Sequence, residues 1–219
     1  MKLSHLFIVI SIVCADGLAG FMTYSILPNP APVHWNFKGE VDRLGPPWEL
    51  AFVFPAIAAF VAGLVILLPT IKSLAPTLAK FQLTYGRISI AAVAALAMIH
   101  GAILLNALGW PMRIETTIPA MSGMLIMILG NWMGKLRRNT VIGIRTPWTL
   151  ANDNVWERTH RAGGVLMVFY GMAIVLVACT TAAWITTMVV IGGGIALLVW
   201  AFAYSWRVYQ LNHSRGQFN

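Results

Sequence analysis

The chain has 219 residues, of which 58% are hydrophobic and only 10% are charged. Soluble domains are about 25% charged, and a globule of this size would leave much of its apolar surface facing water. This composition excludes a soluble enzyme, a disulfide-rich secreted scaffold and a disordered tail, and it indicates an integral membrane protein. The net charge of +8 does not indicate nucleic-acid binding, because no soluble basic domain carries it.

Six apolar segments are long enough to cross a bilayer, since about 20 helical residues span ~30 Å of hydrocarbon. We expect the first segment to be a span and not a cleaved signal peptide, because its apolar pattern resumes at Leu18. The 45 uncharged residues between Arg161 and Arg207 must form two helices, with a turn predicted at 183–186. The six predicted spans are about 3–27, 50–71, 88–108, 116–134, 164–184 and 187–206. The predicted fold class is therefore an all-α polytopic membrane protein.

An even number of spans places both termini on one side of the membrane, and the distribution of basic residues predicts which side. The positive-inside rule assigns the more basic connections to the cytoplasm. With both termini cytoplasmic, only three basic residues lie outside: Lys38, Arg43 and Arg113. The other twelve lie inside: Lys2, Lys72, Lys80, Arg87, Lys135, Arg137, Arg138, Arg145, Arg158, Arg161, Arg207 and Arg215.

The predicted outer loop runs from Pro28 to Glu49 and contains five prolines. These prolines predict an ordered excursion that is neither strand nor helix. Its potential ligand residues are His34, Asn36, Glu40 and Asp42. We favour a turn-rich cap in which the Asn and Asp side chains bond local backbone; the alternative is a metal site at His34 with two carboxylates. No other metal site and no cofactor are expected.

The predicted inner loop runs from Lys135 to Gly163. Thr146 and Pro147 are typical of the N-cap and first residue of a helix. We predict an interfacial helix that lies on the inner leaflet and ends at Gly163, with an ion pair between Glu157 and Arg161. The six basic residues of the loop have three compatible uses: fixing topology, holding anionic lipid headgroups, or docking an acidic cytoplasmic partner.

Two ionisable residues lie at membrane depth, Asp16 in the first span and His100 in the third. Burying an ionisable side chain in lipid costs free energy, so its presence within a span indicates a functional role. Their matched depth allows them to pair. We favour a structural hydrogen bond between two helices, and the alternative is proton-linked chemistry. The sequence contains no nucleophile–base pair or phosphate-binding glycine loop, so an enzyme is not indicated.

The polar connections resemble a known family. The inner stretch resembles the signature of the SdpI family of bacterial membrane proteins, and the residues that carry the likeness are Asn131, Lys135, Arg138, Asn139, Arg145, Pro147, Trp148, Trp156, His160 and Arg161. The outer stretch is similar to a small membrane domain often found N-terminal to that signature, through His34, Trp35, Asn36, Gly39 and Asp42. The resemblance divides the chain into an N-terminal module (1–112) and an SdpI-like module (113–219), each with three spans.

The resemblance implies that the chain is a multi-pass protein of the bacterial inner membrane that gives resistance to a secreted peptide toxin. It also implies signalling by capture of a cytoplasmic transcriptional repressor. The outer residues would then contact the toxin, and the inner residues would form the partner-docking segment. The expected partners are membrane lipids, the toxin and such a repressor. The rival function is an intramembrane enzyme or transporter for a lipid or small solute that uses Asp16 and His100.

Overall fold

The computed structural model describes residues 1–36 and 38–214 of the chain. These residues form eight α-helices and one antiparallel sheet of two strands. The helices are α1 (Leu3–Thr23), α2 (Pro47–Leu67), α3 (Ala75–Ala79), α4 (Gln82–Ala107), α5 (Ile114–Met133), α6 (Pro147–Ala151), α7 (Asp153–Thr180) and α8 (Ala183–Ser214). The strands are β1 (Ala31–Trp35) and β2 (Val41–Gly45). Short 3-10 turns extend α1 to Ile26 and α2 to Thr70.

Among the described residues, five helices are long and apolar enough to cross a membrane, namely α1, α2, α4, α7 and α8. Many of their large hydrophobic side chains are exposed and few are fully buried, as lipid contact requires. The chain is therefore a multi-pass protein of the cell membrane, which confirms the predicted helical, polytopic class. α5 has 20 residues but carries Glu115, two threonines and Asn131, so a sixth span and the orientation of the termini stay predictions. Arg215 lies outside the described residues.

The outer loop contains a β-hairpin, and the prediction that it holds no strand is wrong. β1 and β2 pair antiparallel, with Pro32 opposite Leu44 and His34 opposite Arg43. Proline is tolerated on edge strands, and both strands of a two-stranded sheet are edges. The prolines of this loop therefore do not prevent pairing. We call this end of the molecule the hairpin end and the opposite end, where residues 135–152 lie, the loop end.

The predicted interfacial helix begins where expected but does not continue as expected. Thr146 caps α6 with its side chain and Pro147 occupies the first position, which confirms the predicted start. The helix stops at Ala151, because Asn152 is extended and its side chain accepts the backbone N–H groups of the next helix. α7 then passes straight through Gly163 into the membrane. The predicted end at Gly163 is therefore wrong. The turn between the last two spans lies at 181–182, just before its predicted position.

Glycines allow α5 and α7 to pack closely. A Cβ atom on Gly130 would lie 2.7 Å from the carbonyl oxygen of Gly164, and a Cβ on Gly164 would lie 2.6 Å from that of Gly130. Gly123 and Gly171 make the same reciprocal contact farther along the pair. Small residues of this kind let helix backbones approach in lipid, where no hydrophobic force drives association. The two glycine contacts therefore fix the register of α5 against α7.

Buried side chains form clusters at different depths of the bundle. One cluster at the hairpin end joins α2, α4 and α5 and includes Ala51, Ile103 and Ile114. A second, at the loop end, packs Trp156 and Leu136 against Leu78 and Tyr85. Val9, Ala62 and Val93 join α1, α2 and α4 between the two ends. The clusters hold both ends of the bundle in defined positions.

We predict that Gly164→Ala destabilises the protein, because its Cβ would meet a backbone atom that cannot move aside. Overpacking of this kind costs about 1–3 kcal/mol, which exceeds the ~1 kcal/mol gained in helix propensity. The matched control is Gly192→Ala, because nothing lies within 4 Å of a Cβ at that position. Thermal unfolding in detergent should show a lower Tm for Gly164→Ala and an equal or higher Tm for the control. An equal Tm for both variants would contradict the close α5–α7 contact.

Candidate functional site

Pro55, in the middle of α2, opens the backbone of that helix. Proline has no N–H, so the carbonyl of Ala51 loses its usual partner. α1 presents Gly20 at this point, and a Cβ there would collide with the Ala51 carbonyl oxygen. The neighbouring carbonyl of Leu50 accepts a hydrogen bond from His100 Nε2 at 3.1 Å. The opened turn of α2 is thus covered by α1 on one side and by α4 on the other.

Asp16 and His100 lie in contact at this opened turn. His100 Nδ1 lies 2.7 Å from Asp16 Oδ1, and both side chains are buried. Since a carbonyl only accepts hydrogen bonds, His100 Nε2 must carry a proton. The Nδ1···Oδ1 contact then holds one further proton, donated by either the imidazolium or the carboxyl group. The pair links three helices, and the ring of Phe54 stacks on His100 at a centroid distance of 5.8 Å.

The turn of the hairpin is built around Asn36. Its Oδ1 accepts the backbone N–H groups of Lys38 at 2.8 Å and Glu40 at 3.1 Å. Gly39 has φ +82°, and a Cβ there would collide with the side chain of Glu115. A glycine is therefore needed at residue 39 for both its backbone conformation and its contact with α5. The hairpin is seated on the first turn of α5.

Ion pairs brace the outer surface of the hairpin. His34 Nδ1 lies 2.5 Å from Asp42 Oδ1 across the two strands, and Arg43 Nη1 donates to Glu49 Oε2 at 2.8 Å. Glu40 Oε2 accepts from the side chain of Asn36 at 3.0 Å. Glu40 is thus engaged with Asn36, and no group of three potential ligands among the described residues could hold a metal ion. The choice between the cap and a metal site at His34 stays a prediction.

A cleft of about 340 Å³ opens beneath the hairpin. We call it the hairpin cleft. His34, Trp35, Asn36 and Gly39 line its roof. Helices from both halves of the chain supply its other walls, which are largely apolar: Phe54, Ile99, Ile103, Ile114, Glu115, Ile118, Pro119, Ala183 and Thr187. Four of the five predicted outer-loop residues therefore border one cavity, and the fifth, Asp42, holds His34.

The loop end contains a tight network of hydrogen bonds. Asn139 Oδ1 accepts the backbone N–H groups of Val141 and Ile142, both at 2.8 Å. Thr149 Oγ1 donates to the carbonyl of Ile144 at 2.7 Å. The capping residue Thr146 also donates to Ser205 Oγ of α8 at 3.0 Å. This network fixes the 139–149 segment and attaches it to the last span.

Trp156 and His160 form the buried base of this segment. Their rings stack at a centroid distance of 3.9 Å. Trp156 Nε1 donates to the carbonyl of Leu136 at 2.8 Å, and His160 Nε2 accepts the backbone N–H of Ile144 at 2.9 Å. Gly143, at φ +113°, passes directly over the ring of His160. Both side chains therefore act as a platform on which the polar segment folds, and not as exposed docking groups.

The other inner residues of the predicted set are distributed around the platform. Asn139 is buried and Trp148 is half-buried against Phe202, whereas the remaining predicted residues are exposed: Asn131, Lys135, Arg138, Arg145, Pro147 and Arg161. Arg145 Nη1 donates to the carbonyl of Thr140 at 2.6 Å. The predicted Glu157–Arg161 pair is wrong, since Glu157 pairs with Arg137 at 2.7 Å. The ion pair expected between residues four apart on the helix does not form, because the loop that follows α5 brings Arg137 close to Glu157.

Several residues of these sites were missed by sequence reasoning. Pro55 was a visible signal, because a proline inside an apolar span leaves a carbonyl that a neighbour must satisfy. Glu115 at the cleft and Ser205 at the loop end gave no such signal, since their roles depend on which helices are neighbours.

Comparison with known proteins agrees with this architecture. The SdpI/YfhL protein family matches residues 135–205, which include the loop-end network, α6, α7 and most of α8. A domain of unknown function (DUF1648) matches residues 11–59, from Asp16 through the hairpin to Pro55. The Immunity protein SdpI of Bacillus subtilis (strain 168) is 28% identical over 206 residues, which are 94% of this chain and 97% of the relative.

The chain is therefore similar to the SdpI family over its C-terminal third, and to this relative over nearly its whole length. No solved structure matches it. In this chain the two matched regions each contain one of the polar ends. The first region holds the hairpin and Asp16 of the buried pair, and the second holds the loop-end platform. The hairpin cleft lies where the N-terminal half meets α5 and α8.

The two histidine–aspartate pairs provide a prediction with an internal control. A double-mutant cycle on Asp16→Ala and His100→Ala should give a coupling energy of about 0.6–1.7 kcal/mol, the range from the average to the maximum measured by such cycles between membrane helices. The cycle on His34→Ala and Asp42→Ala should give about 0–1 kcal/mol, because exposed pairs are screened by water. Both are measured by unfolding in detergent. A weaker coupling for the buried pair than for the exposed pair would contradict the structure of the Asp16 site.

Proposed function

We propose that the chain is a membrane immunity protein that protects its cell against a secreted peptide toxin. The hairpin cleft is the observation that carries this proposal. It is apolar within and polar at its rim, which suits a peptide that partitions into membranes, and it combines residues from both halves of the chain. The name of the Bacillus subtilis relative, Immunity protein SdpI, supports the same function.

We propose that α5 is the sixth span and that both termini are cytoplasmic. α5 lies beside α7 through glycine contacts at Gly130 and Gly123, which are seven residues apart and therefore about 10 Å apart along the helix. A helix that follows a membrane span over this distance shares its depth. The excess of basic residues at the loop end supports a cytoplasmic position for that end. The division into modules at residues 112 and 113 stays a prediction.

We propose a second step in which the loop end signals to a cytoplasmic repressor. Lys135, Arg138, Arg145 and Arg161 are exposed around a rigid platform, which suits an acidic partner surface. α5 and α8 both begin at the hairpin cleft and end at the loop end. A toxin that prefers one arrangement of these helices would shift the population presented to the repressor.

The rival function, an intramembrane enzyme or transporter, is favoured only by the shared proton between Asp16 and His100. Asp16 is the only acidic residue within the five spans apart from those at the start of α2 and α7, so no relay of carboxylates leads from it across the membrane. We propose that the pair is structural and that the protein is not an enzyme.

The asparagine of an Asp16→Asn variant can still accept and donate hydrogen bonds. This variant should keep toxin protection, and the protection should not depend on pH.

The test of immunity is expression in a Bacillus subtilis strain that lacks SdpI and is killed by the toxin. The chain should raise survival, and His34→Ala or Asp42→Ala should weaken protection at equal protein level, because each loosens the roof of the cleft. A loss of ~1.4 kcal/mol of toxin binding corresponds to about a tenfold higher toxin requirement for full protection. Lys38→Ala, which changes a side chain that is exposed in the hairpin turn and does not line the cleft, is the matched control. Unchanged killing in cells that express the wild-type chain would contradict the proposal.

A further inference from the structure

A second cavity lies at the loop end, beside Trp156 of the platform. It has a volume of about 680 Å³ and is lined by Thr77, Lys80, Arg137, Arg138, Asp153, Trp156 and Glu157. We call it the basic cavity. Two elements far apart in the sequence form it: the connection that contains α3, and the loop that follows α5.

The basic cavity lies at the level of the membrane surface. α2 ends its membrane-crossing segment at Thr70, and α4 begins at Gln82, so the α3 connection lies at the boundary between hydrocarbon and water. α7 enters the membrane from the same side. Beneath the cavity, the apolar cluster of Leu78, Tyr85 and Trp156 continues into the bundle. A ligand in the cavity would therefore be at the depth of phospholipid headgroups.

The charges of the cavity favour an anionic ligand. Its only two carboxylates among the described residues are already engaged, since Arg137 pairs with Glu157 and Arg138 pairs with Asp153, both at 2.7 Å. Lys80 is exposed and forms no ion pair with any described residue. The Thr77 hydroxyl beside it adds a neutral donor. An ammonium group, a hydroxyl and two guanidinium groups are the donors that phosphate oxygens bind.

The surroundings of the cavity strengthen this preference. Asp153 and Glu157 are the only acidic residues of the described chain at the loop end, where eleven basic residues lie: Lys2, Lys72, Lys80, Arg87, Lys135, Arg137, Arg138, Arg145, Arg158, Arg161 and Arg207. The start of α1 belongs to this end, because His5 lies against Gly86 of α4. The end of α8 belongs to it as well, through Asn212 and Asn154. A field of this sign raises the local concentration of anions.

We propose that the basic cavity binds the phosphate headgroup of an anionic phospholipid, with Lys80 as its main cationic contact and Thr77, Arg137 and Arg138 around it. The lipid joins the α3 connection to the loop that follows α5. It thereby holds the segment that carries the exposed cations of the loop end. This binding is independent of the proposed immunity function and of the direction in which the chain is inserted.

The proposal is tested on the full chain in neutral detergent, where no charged bilayer surface attracts lysines in general. Native mass spectrometry measures binding of phosphatidylglycerol and of phosphatidylcholine with the same acyl chains. We expect a preference for phosphatidylglycerol, and we expect Lys80→Gln to weaken its binding about fivefold, the contribution of one basic residue near anionic lipid. The matched control is Lys72→Gln, which removes the same charge from an exposed residue of the same end outside the cavity and should leave binding unchanged.

Three results would overturn the proposal. One is equal binding of the two lipids by the wild-type chain. Another is an equal loss in Lys80→Gln and Lys72→Gln, which would show a general surface charge and not a site. The last is that free glycerol phosphate, added as a competitor, removes the bound lipid at equimolar concentration, which would show a soluble phosphate site. Circular dichroism of each variant confirms that the helices are retained, so a loss of binding is not a loss of folding.

Discussion

Lipid offers no hydrogen-bond partner to a buried polar atom, and this constraint organises the whole molecule. Each unsatisfied backbone group in hydrocarbon costs several kcal/mol, on the order of the net stability of a small domain. Pro55 creates such a group in α2, and His100 and Gly20 are positioned around the opening. Asp16 then satisfies the second ring nitrogen of His100. The hydrogen bond from His100 goes to the neighbouring carbonyl of Leu50, so α1, α2 and α4 meet at the interrupted turn.

The same constraint explains why the polar segments of the chain fold back on themselves at the two ends. At the loop end, Asn139, Thr149 and His160 accept or donate hydrogen bonds to backbone groups of the 140–144 segment. At the hairpin end, the two strands satisfy each other and Asn36 closes the turn. α5 and α7, held in register by glycines, connect the ends. In the proposed signalling step, these helices are the elements that would transmit an effect of the toxin from one end to the other.

Much of this fold could be predicted, because a helix that crosses the hydrocarbon of a bilayer needs about 20 predominantly apolar residues, and such segments are visible in the sequence. The long uncharged runs predicted the membrane-spanning helices, and Thr146 and Pro147 predicted the start of α6. The contact between Asp16 and His100 was suggested by matched depth alone. The predictions that were wrong depended on which residues are neighbours in three dimensions. The prolines of the outer loop did not prevent the two strands from pairing. Gly163 does not end a helix, and it lies instead in close contact with Ile144 and Trp200. Glu157 pairs with Arg137 because a loop brings them together, which no helical spacing reveals.

The central claim is that the hairpin and the platform lie on opposite faces of the membrane, so that a signal from outside can reach a basic surface inside. Cysteine labelling tests it most directly. In a background with Cys14→Ala and Cys179→Ala, single cysteines at Lys38 and Arg145, both exposed, are treated in intact cells with a membrane-impermeant thiol reagent. The account predicts that Lys38→Cys is labelled at once and Arg145→Cys only after the membrane is permeabilised. Labelling of both in intact cells would contradict it.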